Sequence, residues 1–577
     1  MKNTCVVPSV CLDIGPCPSI LLGRIGWLCL LVVSSWCLPG IAVAADLDRE
    51  ILLREVALAR SGNQGSRLPE VRWAGYRYGK APLQPLGGLQ EFPVDRFGAV
   101  PNDHGDDRLS IQTAIRHAEL RGGIVRFGVG RYRLDGHLVI GSPKVFLVGA
   151  GSSASILSFS RSLHETTGVP QGQLDRTLSW SGGLIWFARG QSTPVDRPRA
   201  LLPRESELGS SLPLPVQDTY QSSTTSMPRG LAQGTNVIGS IDPSVRYPEV
   251  IPVEVHWIGG KALAAEIFGC PVGAAAYAPW ASAGTQTNSD PTLIYVTIPN
   301  VLRRNERGIL TLDKPLRLST NAAHHVVLSV QPAPLVEVGV SGLSLEMPDL
   351  PATPHNQNRG FNGIAMESFG HGYINDVSML HAENGVILEN CWNITIRGLV
   401  LSGRKHHHGS SFSGSHDCLM EDFDFRAESI HGISTQDRSS GNVWRRGRMN
   451  GGTFDSHTGT PFDSLRTDIL LVNPVGSPGG NPGASTFNGR RMIHWGITVE
   501  TDKLTDKQRR RAPEWIRAPI YHPRGILAGI SGVDVFGPAK APWAMPITIS
   551  QEAMPLLAAS VPFPDCYAAL TTNHDKP

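Results

Sequence analysis

The chain has 577 residues, 52 Lys+Arg against 50 Asp+Glu for a formal net charge of +2, and an apolar fraction of 41%. That apolar share supports a buried core, so the chain is globular and not disordered. The charge balance, without any sustained basic stripe, argues against a nucleic-acid partner, and 62 Gly and 44 Pro with only 18% charged residues favour short strands and turns over long surface helices.

In chain order, residues 25–36, IGWLCLLVVSSW, form a short apolar run after Lys2 and Arg24 and before Ala42-Val43-Ala44. They read as a secretory signal over 1–44, and predict an exported protein, periplasmic, extracellular or at the cell surface. The run falls short of the roughly 20 residues that span a bilayer, so no stable membrane insertion is expected after signal removal. Five of the nine cysteines lie in the first 37 residues, leaving Cys270, Cys391, Cys418 and Cys566 for a sparse disulfide framework at most. Residues 45–91 read as an N-terminal extension with a helix expected over 46–60.

From 92 onward the text changes. Ile111, Ala114, Ile115 and Ala118 have helical spacing, with Asp106 and Asp107 at the N-terminal end where the dipole favours acids. Phe97-Gly98-Ala99, Asp106-Asp107, Ile111-Gln112, Ala114-Ile115, Gly122-Gly123-Ile124-Val125, Gly130-Arg131-Tyr132 and Leu147-Val148-Gly149-Ala150-Gly151 follow in order. This run of about 65 residues resembles the N-terminal region of the pectate-lyase superfamily, the right-handed parallel β-helix proteins that include polygalacturonase-like and phage tailspike-like members. The resemblance implies an all-β solenoid with an N-terminal capping helix. It departs from the usual pattern at Pro101-Asn102-Asp103-His104-Gly105, which replaces the Asp-Gly turn.

Between 161 and 330 low-order text dominates, with strand-like islands at GGLIWFA, TLIYVTI and GILTLDKPLRL. It reads as coils carrying long loops or a side sheet, with a separate inserted domain as the competing reading. Beyond it the text repeats. Aligning VEVGVSGLSL, GYINDVSML, CWNITIRGLVL, HDCLMEDFDF and NVWRRGRM superposes Gly342, Asp376, Gly398, Asp422 and Gly447, at steps of 34, 22, 24 and 25 residues. Such a period is expected of coils stacked about 4.8 Å apart. The long step places an insertion at PDLPATPHNQNRG. The β-helix is expected over 92–535, with 536–577 as a C-terminal capping tail.

The coil period locates candidate chemistry. His381, His407, His431 and His457 recur at 26, 24 and 26 residues and could form a column, with His408 and His416 nearby. At an effective dielectric near 20, each pair of charged imidazoles about 5 Å apart costs about 3 kcal/mol, so crowding keeps several neutral, fit to act as bases or metal ligands. Arg404, Lys405, Arg426, Arg438, Arg445 and Arg446 share these coils and would suit an anionic sugar. A second constellation, GGTFDSHTGTPFDSLRTD, carries Asp455 and Asp463 close after Asp437.

Two reactions fit these residue types. In β-elimination a base, here His407, His431 or Lys405, removes the proton α to a uronate carboxylate, while Arg404, Arg438 or a Ca²⁺ ion neutralises the developing charge. In hydrolysis two carboxyl groups, from Asp437, Asp455 and Asp463, flank the glycosidic bond. His457 belongs to the catalytic set in either case, and His381, His408, His416, Arg426 and Arg445 would bind substrate. The reading favoured is an exported polysaccharide lyase acting on a uronate-containing polymer. A glycoside hydrolase and a non-catalytic glycan-binding β-helix are the alternatives. The metal, if any, is left open: no His-Glu-x-x-His helix is present, though stacked imidazoles with Asp455 could hold one ion. Structural readings stand beside these. Asn393, Asp417 and Asn442 could form a polar ladder satisfying the backbone, His406 to His408 a solvated turn, and Trp392 and Trp444 core stacking.

Overall fold

The structure is a computed structural model that describes residues 50–58 except 52, 66–169, 178–188, 224–242, 248–269, 294–320, 324–331, 334–456, 459–475, 488–510, 524–533 and 547–549. The expected signal and nearly all of the expected tail lie outside the described residues.

Short aliphatic runs broken at Gly, Asp and Asn cannot bury an apolar face alone, and winding lets each rung cover the next. On face one, Glu91, Ile124, Phe146, Gly339, Tyr373, Thr395, Leu419, Val443, Leu465, Ile493, Ile526 and Ile547 pair in succession, always parallel. On face two the succession is Tyr132, Leu157, Leu345, Met379, Leu401, Phe425, Met449, Leu471 and Val499. Each of these side chains is at most 4% exposed, so face two is the spine of the core. On face three it is Leu138, Ile185, Ile364, Val386, Ser410, Ile433 and Phe454. Parallel strands joined by crossovers wind right-handed. The fold is a right-handed parallel β-helix, all-β but for a few helices. The longest of these, Arg108–Glu119, buries Ile111, Ala114, Ile115 and Ala118 as their spacing predicts. Asp106 accepts from Arg108 N at 3.1 Å, whereas Asp107 accepts from Val100 N at 2.7 Å and so pins the divergent 101–105 turn.

From Gly342 onward the corner between faces one and two carries a left-handed residue on each successive rung. Gly342, Asp376, Gly398, Asp422, Arg446, Asp468 and Gly496 supply it, with φ between 49° and 65°. The repeat therefore runs through Arg446, not Gly447. Arginine in this conformation costs on the order of 1 kcal/mol, and ion pairs from Arg446 to Asp422 and Glu421 offset it. A second left-handed column precedes face one and includes His371, Asn393, Asp417, Gly441, Asp463 and Arg491. Gly441 stands where the sequence alignment put Asn442.

Residues 66–89 run as a strap outside face one. Val71 and Ala74 pack with Leu419, Val443 and Leu465, and Tyr76 packs with Phe146 and Tyr373. The described residues between 224 and 330 include a six-stranded antiparallel sheet with its own core. Strap, sheet and coil meet at Asp417, which is fully buried and takes Lys314 at 2.7 Å and Arg317 at 2.5 Å. Burial alone would raise this carboxyl, but the two cations outweigh it and hold its pKa below the ordinary value. No described helix is long and apolar enough to cross a membrane.

Candidate active site

The opening strand of one face-three rung, His406–Ser413, carries three consecutive histidines. On a regular strand they would alternate sides. Here the pairing with the next rung slips between His406 and His408 and again between His408 and Ser410, and such slips re-aim side chains. His406 turns into the core, 2% exposed, with its ring edge-on to Phe425 at 5.8 Å. Burial drives its pKa down to about 3. Gly409 lets Phe425 approach: a Cβ there would lie 2.1 Å from that ring. His407 and His408 end up together, ring centroids 4.3 Å apart.

One rung on, His431 joins them. Its ring lies 5.0 Å from His407 and stacks on His408 at 4.7 Å. A further rung supplies Asp455, whose Oδ2 accepts from Ser434 Oγ at 2.8 Å and faces His431 Nδ1 at 3.5 Å. The fourth imidazole is His355, from the insertion PDLPATPHNQNRG. Its Nε2 lies 3.0 Å from His431 Nε2 and its ring 4.9 Å from that of His407. His355 is exposed, whereas His407, His408 and His431 are at most 5% exposed, so the cluster opens to solvent at the insertion. One ring nitrogen each of His355, His407 and His431 can be chosen so that all three lie within 4.8 Å of one another.

An asparagine ladder holds the other wall. Asn362 Nδ2 donates to the Leu178 and Ser181 carbonyls, and Asn384 Nδ2 donates to the Ser179 carbonyl and to Asn362 Oδ1. His408 N donates to Asn384 Oδ1, and His407 Nδ1 lies 3.3 Å from the Ser179 carbonyl. Segment 178–183 is thereby fastened beside the cluster, with Trp180 edge-on to His407.

Of the expected column, His407 and His431 meet, with His408. His381 does not join them: it sits at the preceding turn, its Nδ1 accepting from Arg404 N and 3.4 Å from Asp349. His457 lies outside the described residues. His416 is buried on the other corner, against Ser440 Oγ at 2.9 Å, and burial pushes its pKa to about 3. Arg404 is spent on the Leu350 and His381 carbonyls and on the Phe361 ring. Lys405 pairs with Glu428, Arg426 with Asp424 and Arg445 with Glu421, the last two on strands of faces one and two. Arg438 lies in the turn after face three, its backbone N–H donating to the Gly459 carbonyl.

The three expected carboxylates are not gathered into a pair. Asp455 backs His431. Asp437 sits at a left-handed corner with φ 53° and accepts from Ser413 Oγ. Asp463 is fully buried before face one, where Arg491 takes both its oxygens. Arg466, 1% exposed, lies over Trp444 and Phe454, and Trp444 stacks on Phe412 inside the coil. Asn442 satisfies backbone at Ser415 and Cys418, as a ladder residue would. His355, Asn362 and Asn384 were not legible as site residues. The only signal was a histidine inside the one long step of the repeat.

Comparison with solved structures returns wound folds at low similarity. A tailspike of an Acinetobacter baumannii bacteriophage, in complex with A. baumannii capsular saccharide, matches at 9% identity and TM-score 0.38, over 76% of this chain and 56% of that one. A family 28 exopolygalacturonase from Yersinia enterocolitica matches at 12% and 0.35, over 80% and 68%. The A-module of a mannuronan C-5 epimerase from Azotobacter vinelandii matches at 13% and 0.27, over 71% and 76%. No family model and no curated protein matches. The rung pairing itself, not these likenesses, establishes the fold.

Proposed function

We propose that the chain is a polysaccharide-cleaving enzyme that acts on a uronate-containing polymer by β-elimination, with the imidazole cluster of face three as its reaction centre. The observation that carries this reading is the contact of His431 with both Asp455 and His355. A carboxylate behind an imidazole stabilises its protonated form, so His431 is the member best able to hold positive charge. The Nε2–Nε2 contact of 3.0 Å requires one nitrogen to donate to the other. His408, stacked on a cationic neighbour, then stays neutral and serves as base.

In the reaction His408 takes the proton α to the uronate carboxylate. The electron pair left behind forms the carbon–carbon double bond as the β carbon–oxygen bond breaks. Charge building on the carboxylate is met by the His355–His431 pair, which also returns a proton to the leaving oxygen. Ca²⁺ does not fit this cluster: it takes six to eight oxygen ligands, and the donors here are imidazole nitrogens, so no step is routed through it. Hydrolysis stands as the second outcome of the test below. The scattering of Asp437, Asp455 and Asp463 counts against it.

The test is to incubate the protein with a panel of uronate polymers and follow ultraviolet absorbance of new unsaturated ends. The reading expects that absorbance, with kcat reduced about 10²- to 10⁴-fold in His408→Ala. New reducing ends without absorbance would mean hydrolysis, and binding without any cleavage would mean a glycan-binding module.

A further inference from the structure

We propose that His355, His407 and His431 form a three-imidazole site for a divalent transition ion of the Zn²⁺ class, and that the ion clamps the 348–360 insertion onto face three beside His408. Among the described residues this is the one trio of His, Cys, Asp or Glu whose ligand atoms converge, all within 4.8 Å. The His355 Nε2 to His431 Nε2 distance of 3.0 Å already approaches the edge of a ligand tetrahedron, which is roughly 3.3 Å for Zn–N bonds of 2.0–2.1 Å.

The outer nitrogens are arranged as ligating histidines require. His431 presents Nδ1 to Asp455 at 3.5 Å, and His407 presents Nδ1 to the Ser179 carbonyl at 3.3 Å. A carboxylate or carbonyl in that place fixes the tautomer and orients the ring toward the metal. Imidazole donors select zinc, copper, iron or nickel over calcium and magnesium. Three protein ligands leave a fourth position open, the pattern of a catalytic rather than a structural ion. His408 is not in the trio, so the base of the proposed elimination is kept; a bound ion would meet the charge on the carboxylate in place of the His355–His431 pair, and the leaving oxygen would then take its proton from water.

The two rigid ligands come from consecutive rungs and the third from the insertion, so binding ties a loop to the wall of the solenoid. Ion binding itself does not depend on the elimination reading; only its catalytic consequence does.

The experiment uses the full chain after treatment with a chelator, titrated with Co²⁺ and followed by visible absorbance and by equilibrium dialysis. One ion per chain with a four-coordinate spectrum is expected. His355→Ala, His407→Ala and His431→Ala should each weaken binding at least tenfold, and His408→Ala should leave it unchanged. His355 is exposed, so its variant keeps the fold and the test remains decisive should the buried variants misfold. Equal binding by wild type and His355→Ala, or no binding at all, would overturn the proposal. Unsaturated ends formed by a protein that binds no Co²⁺ would sink the metal and spare the elimination; bound Co²⁺ with no unsaturated ends from any polymer would do the reverse.

Discussion

His406 and His407 are neighbours in the chain with opposite fates. A slip in strand pairing sends the first into the core and the second to the cluster. No periodicity in the text marks that slip, which is why a solvated turn stood as an alternative for three adjacent histidines that are in fact buried on a strand. The buried pair His406 and His416 has a measurable consequence. Burial lowers both pKa values to about 3, against an unfolded value near 6.5. The unfolded chain therefore binds more protons below pH 6.5, and stability falls as pH falls through that value toward 3. Each imidazole contributes about 1.4 kcal/mol per pH unit in this window. Urea unfolding at pH 6, 5 and 4 should show this slope, reduced by about one imidazole's share in His406→Phe. An unchanged slope in that variant would contradict the burial assigned to His406.

At the level of elements, the repeat was legible because left-handed corners favour Gly, Asp and Asn. It failed by one residue at Gly447 because Arg446 holds the corner through ion pairs that only the fold brings together. The antiparallel sheet showed only as strand-like islands, TLIYVTI and GILTLDKPLRL, which supply two of its strands, and the strap left no such mark. Their join at Asp417 is a buried carboxylate between Lys314 and Arg317. Removing one partner of a buried pair costs about 3–5 kcal/mol, because the remaining charges stay desolvated. Asp417→Ala should lower unfolding free energy by about that amount and, since Asp417 sits at the corner before face one and not on face three with the histidines, leave the cobalt spectrum of surviving folded protein unchanged. A loss under 1 kcal/mol would show that the sheet is not anchored there.

For the whole molecule, winding sets which residues meet. His407 and His431 were placed together by the coil period, and they do meet. His381 was placed with them by the same period and does not meet them, because it falls at the turn before face three, where its ring takes the Arg404 N–H. His355 arrives from the single coil that breaks the period, so no count of spacings could include it. Of the arginines expected to line the same groove, Arg426, Arg445 and Arg446 lie instead on the strands of faces one and two and the corner between them, paired with Asp424, Glu421 and Asp422. Substrate position therefore separates this account from a basic-groove reading. A crystal structure of the His408→Ala variant with an acidic oligosaccharide tests it most directly. The account predicts a sugar carboxylate against His355 and His431 at the mouth beside the insertion. An oligosaccharide lying along Arg426, Arg445 and Arg446, with no sugar at the histidines, would contradict it.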